Sequence, residues 1–514
     1  MIAVSDACKD VQHRFILPET FIEIDFAITD EGAQEAALGS GTNEAGFSNV
    51  DSILDDNKNI ARYATNELNL WALDGTRIIL PASETEYEDA GYVSDNAAGG
   101  SVTLSFPEVR ESPVAGVTIT WSEAFGEYPS IFTVTAKNGD MVIDETTITD
   151  NTTPTSVVSL KLENYDSITV TIHSWFLPDR RFRIEKVAVG HVLTLTKSDI
   201  LSFSHEQHGD LLSGELPKYS IEFTLDNSDG RWNPNNPTGM EQYLSERQKL
   251  TVRYGLDING TIEWIKGGIF YLSEWDAPSN GLEARFVARD VFEYWMGTDT
   301  SKSANMSSAQ YGNLAFIVGW VTSTRMPEGA SIVIDPSLSQ TNGREFKPSG
   351  TYAEMVQKCA NAACCILRYD RDGVLHIEPL NKTLTDYRIT QALSYSHPEI
   401  KLSKHLKEVE VDYGGESPYS LMVANDGEQQ TVTNDYINNM DAAMAVGYWV
   451  SGVLKNRKTV SGEYRADPRL DLYDIVVVES KYGELSPVVI TDVKYTFNGS
   501  FRGSYTGRVL EATT

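Results

Sequence analysis

Cysteine is scarce: four residues in 514 cannot build a disulfide framework. Three of them cluster, Cys359, Cys364 and Cys365, but no histidine stands at zinc-finger spacing. Two adjacent cysteines cannot both turn to one ion without strain, so small buried thiols made in a reducing cytoplasm are expected. Long apolar runs are also missing. The longest, such as AFIVGWV at 315–321, are far too short to cross a bilayer. The start, MIAVSDACKDVQHRF, has no basic region followed by an apolar stretch, so no secretory signal is expected. Basic residues are outnumbered 42 to 73, for a net charge of −31, which argues against a sequence-independent grip on DNA or on an anionic membrane.

Catalytic templates are absent as well. There is no Gly-x-Ser-x-Gly elbow, no Walker glycine-lysine loop and no Gly-x-Gly-x-x-Gly after a strand. In SHEQHGD, His205 and His208 are three apart, whereas a zincin needs them four apart on a helix, so a solvated polar loop is expected. The string SIEFTLDNSDGRWNPNNP invites comparison with a calcium loop. Counting back from Gly230 as the sixth position places Leu225 first, and leucine cannot ligate calcium. Asp226, Asn227, Asp229 and Gly230 are instead good turn formers, and Pro234 and Pro237 end the strand. Among 73 acidic residues carboxylate pairs arise by chance, so no glycosidase dyad is nominated. No enzyme, cofactor or metal is expected.

What is present is a mainly β chain long enough for three or four domains. FIEIDFAIT reads as a strand, a helix is expected near 55–65, and LWALDGTRIILP as a hairpin at Asp74-Gly75. From about 84 to 190, short strands such as VTLSF, GVTITW, IFTVTAK and SITVTIHSWF recur between polar turns, as in a β-sandwich. Its placement suggests a module inserted into a longer domain. Residues 296–345 carry only a weak pattern and read as a mixed linker. Thr351 and Glu354 form a capping box before a helix ending at the cysteines, and Arg371-Asp372-Gly373 reads as a turn. A second helix is expected in NDYINNMDAAMAVGYWVSGVLKNR, with Ile437, Met440, Met444, Val450 and Leu454 near one face. A hairpin turning at Asn498-Gly499 closes the sequence, and no short-period repeat is evident.

The sandwich aromatics are candidates for stacking on sugar rings. Trp121 shares a strand face with Val117 and Ile119 and belongs to the core. Phe125 and Tyr128, in EAFGEYP, and Trp175, at the end of its strand, are expected to be freer, with Arg180 and Arg181 able to bond hydroxyls.

The order of segments resembles bacteriophage tail hub and tail-tip proteins. In that family a strand ending in Asn-x-Asp-Gly-x-x-Asn-Pro precedes hairpins, and Ala-x-Asp leads into a short helix. The matching residues are Asn227, Asp229, Gly230, Asn233, Pro234, Ala288 and Asp290. A later stretch is similar to the family's Asp-Pro-x-Leu-x-x-Gly-Asp-x-Val. It has Asp467, Pro468, Leu470, Asp474 and Val476, but Tyr473 replaces the glycine. The segment 84–190 resembles galactose-binding-like (discoidin-like) sandwiches.

The resemblance implies two tail-tube-like β-barrel domains, a small α/β domain and an inserted sandwich. The expected boundaries are 1–83 and 191–295 for the first hub domain, 84–190 for the insert, 296–385 for the α/β domain and 386–514 for the second barrel. It further implies a non-enzymatic structural protein of the virion: a homotrimeric ring joining a sixfold tail tube to a threefold tip. Its partners would be itself, distal tail or tube proteins and tip or fibre proteins, with DNA only as passing cargo and no membrane insertion. The alternative is a carbohydrate- or receptor-binding tail protein that touches host-wall glycan through residues 84–190.

Overall fold

The computed structural model describes residues 1–12, 19–30, 33, 37–42, 53, 63–65, 100–111, 113–122, 125–178, 180, 182–236, 239–277, 281–294, 313–326, 331–340 and 350–510. The hairpin expected at Asp74-Gly75 and nearly all of the helix expected near 55–65 lie outside them. The chain forms two compact units: residues 25–194 with 231–248, and residues 1–24, 195–230 and 249–514. No helix of the described residues is long and apolar enough to cross a membrane.

The unit containing 25–194 is built by strand alternation. In Thr155–Leu162, Ser156, Val158, Leu160 and Leu162 point inward while Val157, Ser159 and Lys161 point out, the period-2 signature of a half-buried strand. One sheet runs Leu38–Thr42, Gly100–Arg110, Tyr165–Trp175, Pro129–Asn138, Met141–Ile148. Val114–Thr120 is flanked by Lys186–Thr196 and Thr155–Leu162 in a second layer. Both layers contribute to one core in which Trp121 meets Phe132 and Trp175 edge-on, at 4.9 and 6.2 Å, the geometry that ring quadrupoles favour.

The other unit contains an internal duplication. Five strands, Ile200–His208, Lys218–Asp226, Lys249–Ile258, Thr261–Asp276 and Glu283–Arg289, lie side by side in the order first, second, fifth, fourth, third. Five later strands, Glu399–Leu402, Lys458–Tyr464, Ile475–Glu479, Leu485–Phe497 and Phe501–Val509, repeat that order. In both repeats a β-bulge interrupts the pairing of the fourth strand with the fifth, between Leu272 and Glu274 and between Ile490 and Asp492. The repeats are joined in one sheet: the first strand of the first repeat pairs antiparallel with the fourth of the second, from Phe203↔Phe497 to His208↔Asp492.

Insertions fall at different places. Between the first two strands of the second repeat lie a three-stranded sheet (Leu406–Asp412, Tyr419–Met422, Glu428–Thr433) and the helix Met440–Leu454. Between the repeats, the helices Leu314–Arg325 and Tyr352–Ala362 accompany the strands Ser331–Ile334, Ile366–Tyr369 and Val374–Glu378. The capping box forms as expected: Thr351 Oγ1 accepts from Glu354 N at 3.2 Å, and Glu354 Oε2 from Thr351 N at 2.8 Å.

Three local expectations are corrected. SHEQH is not a loop but the end of the strand Ile200–His208, with His205 and Gln207 buried and Glu206 exposed. Tyr254 makes this possible, its hydroxyl meeting His205 Nδ1 at 2.6 Å. The expected linker at 296–345 contains a helix, which the all-round apolar LAFIVGWV hides from periodicity. The helix Met440–Leu454 buries Ala443, Val446, Gly447 and Val450, leaving Met440 and Met444 exposed. Gly447 lets Tyr419 pack against the backbone, since a Cβ there would lie 2.9 Å from the ring.

Candidate functional site

The resemblance residues at 227–234 and 467–474 occupy the same place in the two repeats, the connection between second and third strands, while Ala288 and Asp290 lie at the end of the fifth strand of the first. In the first, the polar side chains fold back onto their own backbone. Asp226 Oδ1 accepts from Ser228 N at 2.9 Å, and Asn233 Oδ1 from Asn235 N at 2.9 Å. Asn227 is buried, its N–H bonding Leu282 O at 2.9 Å and its carbonyl accepting from Gly230 N at 2.9 Å. Asp229 stands in that turn, Gly230 takes φ +72°, and Pro234 is exposed. These are Asx turns closing a strand. Among the described residues no three His, Cys, Asp or Glu side chains are grouped to hold a metal ion.

The second connection surrounds a buried arginine. Arg371 donates to the carbonyls of Lys266 (2.9 Å), Pro468 (2.5 Å) and Leu470 (2.6 Å), and its Nε lies 3.6 Å from Asp471. Burial alone would lower its pKa, but Asp471, Tyr495 and Tyr254 hold it above the ordinary value. Asp467 accepts from Arg469 N and Nε at 3.0 and 2.9 Å. Asp474 accepts from Asp471 N at 2.8 Å, and burial pushes its carboxyl above the usual range. Nothing in an Arg-Asp-Gly turn signals in sequence that Arg371 clamps a distant loop.

Tyr473, where the family has glycine, takes φ +63°. It therefore occupies the left-handed region that glycine enters freely and tyrosine rarely does. Its ring is buried, and its hydroxyl lies 3.3 Å from both Asp210 O and Leu367 O. Room for the ring is made by Gly209, where an added Cβ would lie 2.7 Å from Tyr473 Cζ.

At one end of the sandwich the candidate sugar-contacting residues separate into two classes. Phe125 is 52% exposed and Arg180 is exposed, its Nε 3.5 Å from Glu127. Tyr128 is half-buried and stacked on Phe176, centroids 4.4 Å apart. Trp175 departs from expectation. It is fully buried, its Nε1 donating to Glu127 Oε2 at 3.3 Å, so it shapes the end of the core and presents no face to solvent. Two residues not singled out from sequence organise this end. Glu127 is buried between Trp175 and the arginines, and the Arg183 guanidinium lies 4.3 Å from the Phe125 ring centre. The exposed Phe125 ring, backed by the Arg183 guanidinium and with the exposed Arg180 near by, is a surface on which stacking and hydrogen bonding can combine.

Two buried titratable groups complete the picture. Burial drives His205 well below its usual pKa, with Arg371 adding to the effect. Asp290, one of the resemblance residues, accepts from Phe292 N at 2.9 Å and Tyr219 N at 3.2 Å. Burial nevertheless pushes its carboxyl up to about 8 against those bonds.

No family model and no curated protein matches the sequence. Solved structures similar to it include the 43 kDa tail protein of prophage MuSo2 from Shewanella oneidensis. That pair is 14% identical with a TM-score of 0.43, over 62% of this chain and 95% of the other. The tail protein from Neisseria meningitidis MC58 is 12% identical, TM-score 0.43, over 62% and 93%. The prophage tail protein gp18 from Listeria monocytogenes EGD-e is 12% identical, TM-score 0.38, over 63% and 92%.

Proposed function

We propose that this chain is a structural hub of a phage tail or tail-like particle, a homotrimeric ring that joins a sixfold tail tube to a threefold tip. The observation that carries the reading is the duplication: two five-stranded repeats with one strand order and one bulge position stand in a single chain. Three copies of such a chain present six similar units, so a threefold assembly can meet a sixfold neighbour. The resemblance of both inter-strand motifs to the tail-hub family supports the same reading. Tube and tip proteins are then its partners, the virion its location, and DNA a passing cargo repelled by the acidic surface. Catalysis has no part in this role. Mass measurement of the purified chain and imaging of an assembled tail tip test it. A trimer at the end of the tube is expected, and a chain that stays monomeric and is absent from the tail end overturns it.

A second reading concerns the segment 84–190 as an inserted galactose-binding-like module that contacts host-wall glycan. The exposed Phe125 ring over Arg183, with Arg180 beside it, favours it. Phe125→Ala and Arg180→Ala in the full chain are expected to weaken cell-wall binding at least several-fold, whereas unchanged adsorption removes this reading.

A further inference from the structure

We infer that the joint between the two repeats inside one chain recurs between chains, with residues 400–403 of one copy pairing onto residues 274–277 of the next. The inference rests on the ring reading and names the surface that would close the ring.

Register carries the argument. In the first repeat His205 pairs with Ile221, Ile221 with Ala288, and Ala288 with Leu272, the residue before the bulge. In the second, Ile400 pairs with Val460, Val460 with Gly507, and Gly507 with Ile490, again the residue before the bulge. Ile400 therefore stands where His205 stands, Lys401 where Glu206 stands, and Leu402 where Gln207 stands. By the same bulges, Glu274, Trp275 and Asp276 correspond to Asp492, Val493 and Lys494.

Within the chain, the strand of His205, Glu206 and Gln207 pairs with the strand of Asp492, Val493 and Lys494 across the joint. His205 and Gln207 are buried where their strand lies on the fourth strand of the other repeat, and Glu206 forms an ion pair with Lys494 across the joint. The equivalent positions of the other two strands are open. Ile400 and Leu402 are 56% and 63% exposed, although they share a sheet face with the buried Val460. Among the described residues Glu399–Leu402 pairs only with Lys458–Tyr464. On the fourth strand of the first repeat, pairing with Lys249–Ile258 ends at Tyr271. Beyond it, among the described residues, Glu274, Trp275 and Asp276 pair only with the fifth strand, opposite Val287, Phe286 and Arg285, so their other edge carries no strand.

A strand laid there in the register of the internal joint sets Leu402 opposite Trp275 and Lys401 opposite Asp276. The second pair is the Glu206–Lys494 ion pair with its charges exchanged. Unpaired strand edges bearing apolar side chains are what a closed assembly hides. The contact is head-to-tail, so it generates a ring when the rotation closes. A second copy of this chain is thus the occupant.

The test uses the full chain. Directly opposed cross-strand residues have Cβ atoms about 4.5–5.5 Å apart, within reach of a disulfide after small adjustment. Lys401→Cys/Asp276→Cys is expected to cross-link between copies under an added oxidant, while either single variant does not. Lys401→Glu is expected to raise the concentration for half-assembly by up to about fivefold per joint, the range of one cross-strand charge pair, and Asp276→Lys in the same chain to restore it. A trimer that forms without the cross-link, and whose mass ignores Lys401→Glu and Leu402→Asp, overturns this interface and leaves the hub reading standing. A cross-linked ring of another copy number keeps the interface and overturns the trimer.

Discussion

Replacing Tyr473 by glycine installs the residue found at the matching position of the tail-hub motif it resembles, and the structure predicts that the protein becomes less stable nonetheless. Relief of the left-handed backbone, φ +63°, is worth about 1 kcal/mol. Against it stands a ring only 6% exposed, which removes on the order of 200 Å² from water, about 5 kcal/mol at 25 cal/mol per Å². Compaction of the unfolded chain lowers that upper bound to about 3–4 kcal/mol. The net loss for Tyr473→Gly is therefore about 2–3 kcal/mol. Tyr473→Ala loses the same ring and keeps the strain, so it falls about 1 kcal/mol lower. That order reverses the usual one, since at an ordinary φ alanine is the more stable by about 0.5–1 kcal/mol. Urea unfolding followed by tryptophan fluorescence ranks the two variants by midpoint. An alanine variant more stable than the glycine variant refutes the backbone assignment. A double variant sharpens the test: Gly209→Ala, which forces a Cβ to 2.7 Å from Tyr473 Cζ, should destabilise the wild type clearly but the Tyr473→Gly background hardly at all.

Three further outcomes are expected. Arg371→Met strands the carbonyls of Lys266, Pro468 and Leu470 and should destabilise by about 3–5 kcal/mol in urea unfolding, with Arg371→Lys a poor rescue because an ammonium cannot span the fork. Burial pushes the Asp290 carboxyl up from its ordinary 3.8 to about 8, so the folded state holds the extra proton between those values. Its stabilising contribution is complete below about pH 4 and is lost as pH rises through about 8. Unfolding free energies at pH 5 and pH 8 should therefore differ less in Asp290→Asn than in the wild type. Thr351→Ala removes the acceptor for Glu354 N and should lower stability by about 1 kcal/mol, read from thermal unfolding.

The sandwich strands were legible because one wet face and one dry face leave an alternating pattern, as in Thr155–Leu162. The capping box was legible because Thr351 and Glu354 act locally. His205 was not: a buried imidazole looks solvated until Tyr254, 49 residues away, supplies its partner. The helix Met440–Leu454 misled because apolar residues lie on two sides, and small Ala443 and Gly447 on the buried side carry little hydrophobic signal. The exposed flank of the sandwich end was read correctly at Phe125 and incorrectly at Trp175, whose fate depends on Glu127. The duplication was implied by the resemblance alone, and no residue pattern displays it. Equivalent positions carry unlike residues, His205 and Ile400 or Glu206 and Lys401, so only hydrogen-bond register reveals the correspondence.

The seam from Phe203↔Phe497 to His208↔Asp492 also has a mechanical side. Tension directed along these strands loads every bond of the seam together, so the repeats resist separation until all yield. Tension directed across the strands opens the same bonds singly from one end, beginning with the half-exposed His208 or with Phe203. The chain is therefore stiff in one direction and easily unzipped in the perpendicular one, and a force-spectroscopy attachment at either end of the seam would feel that difference.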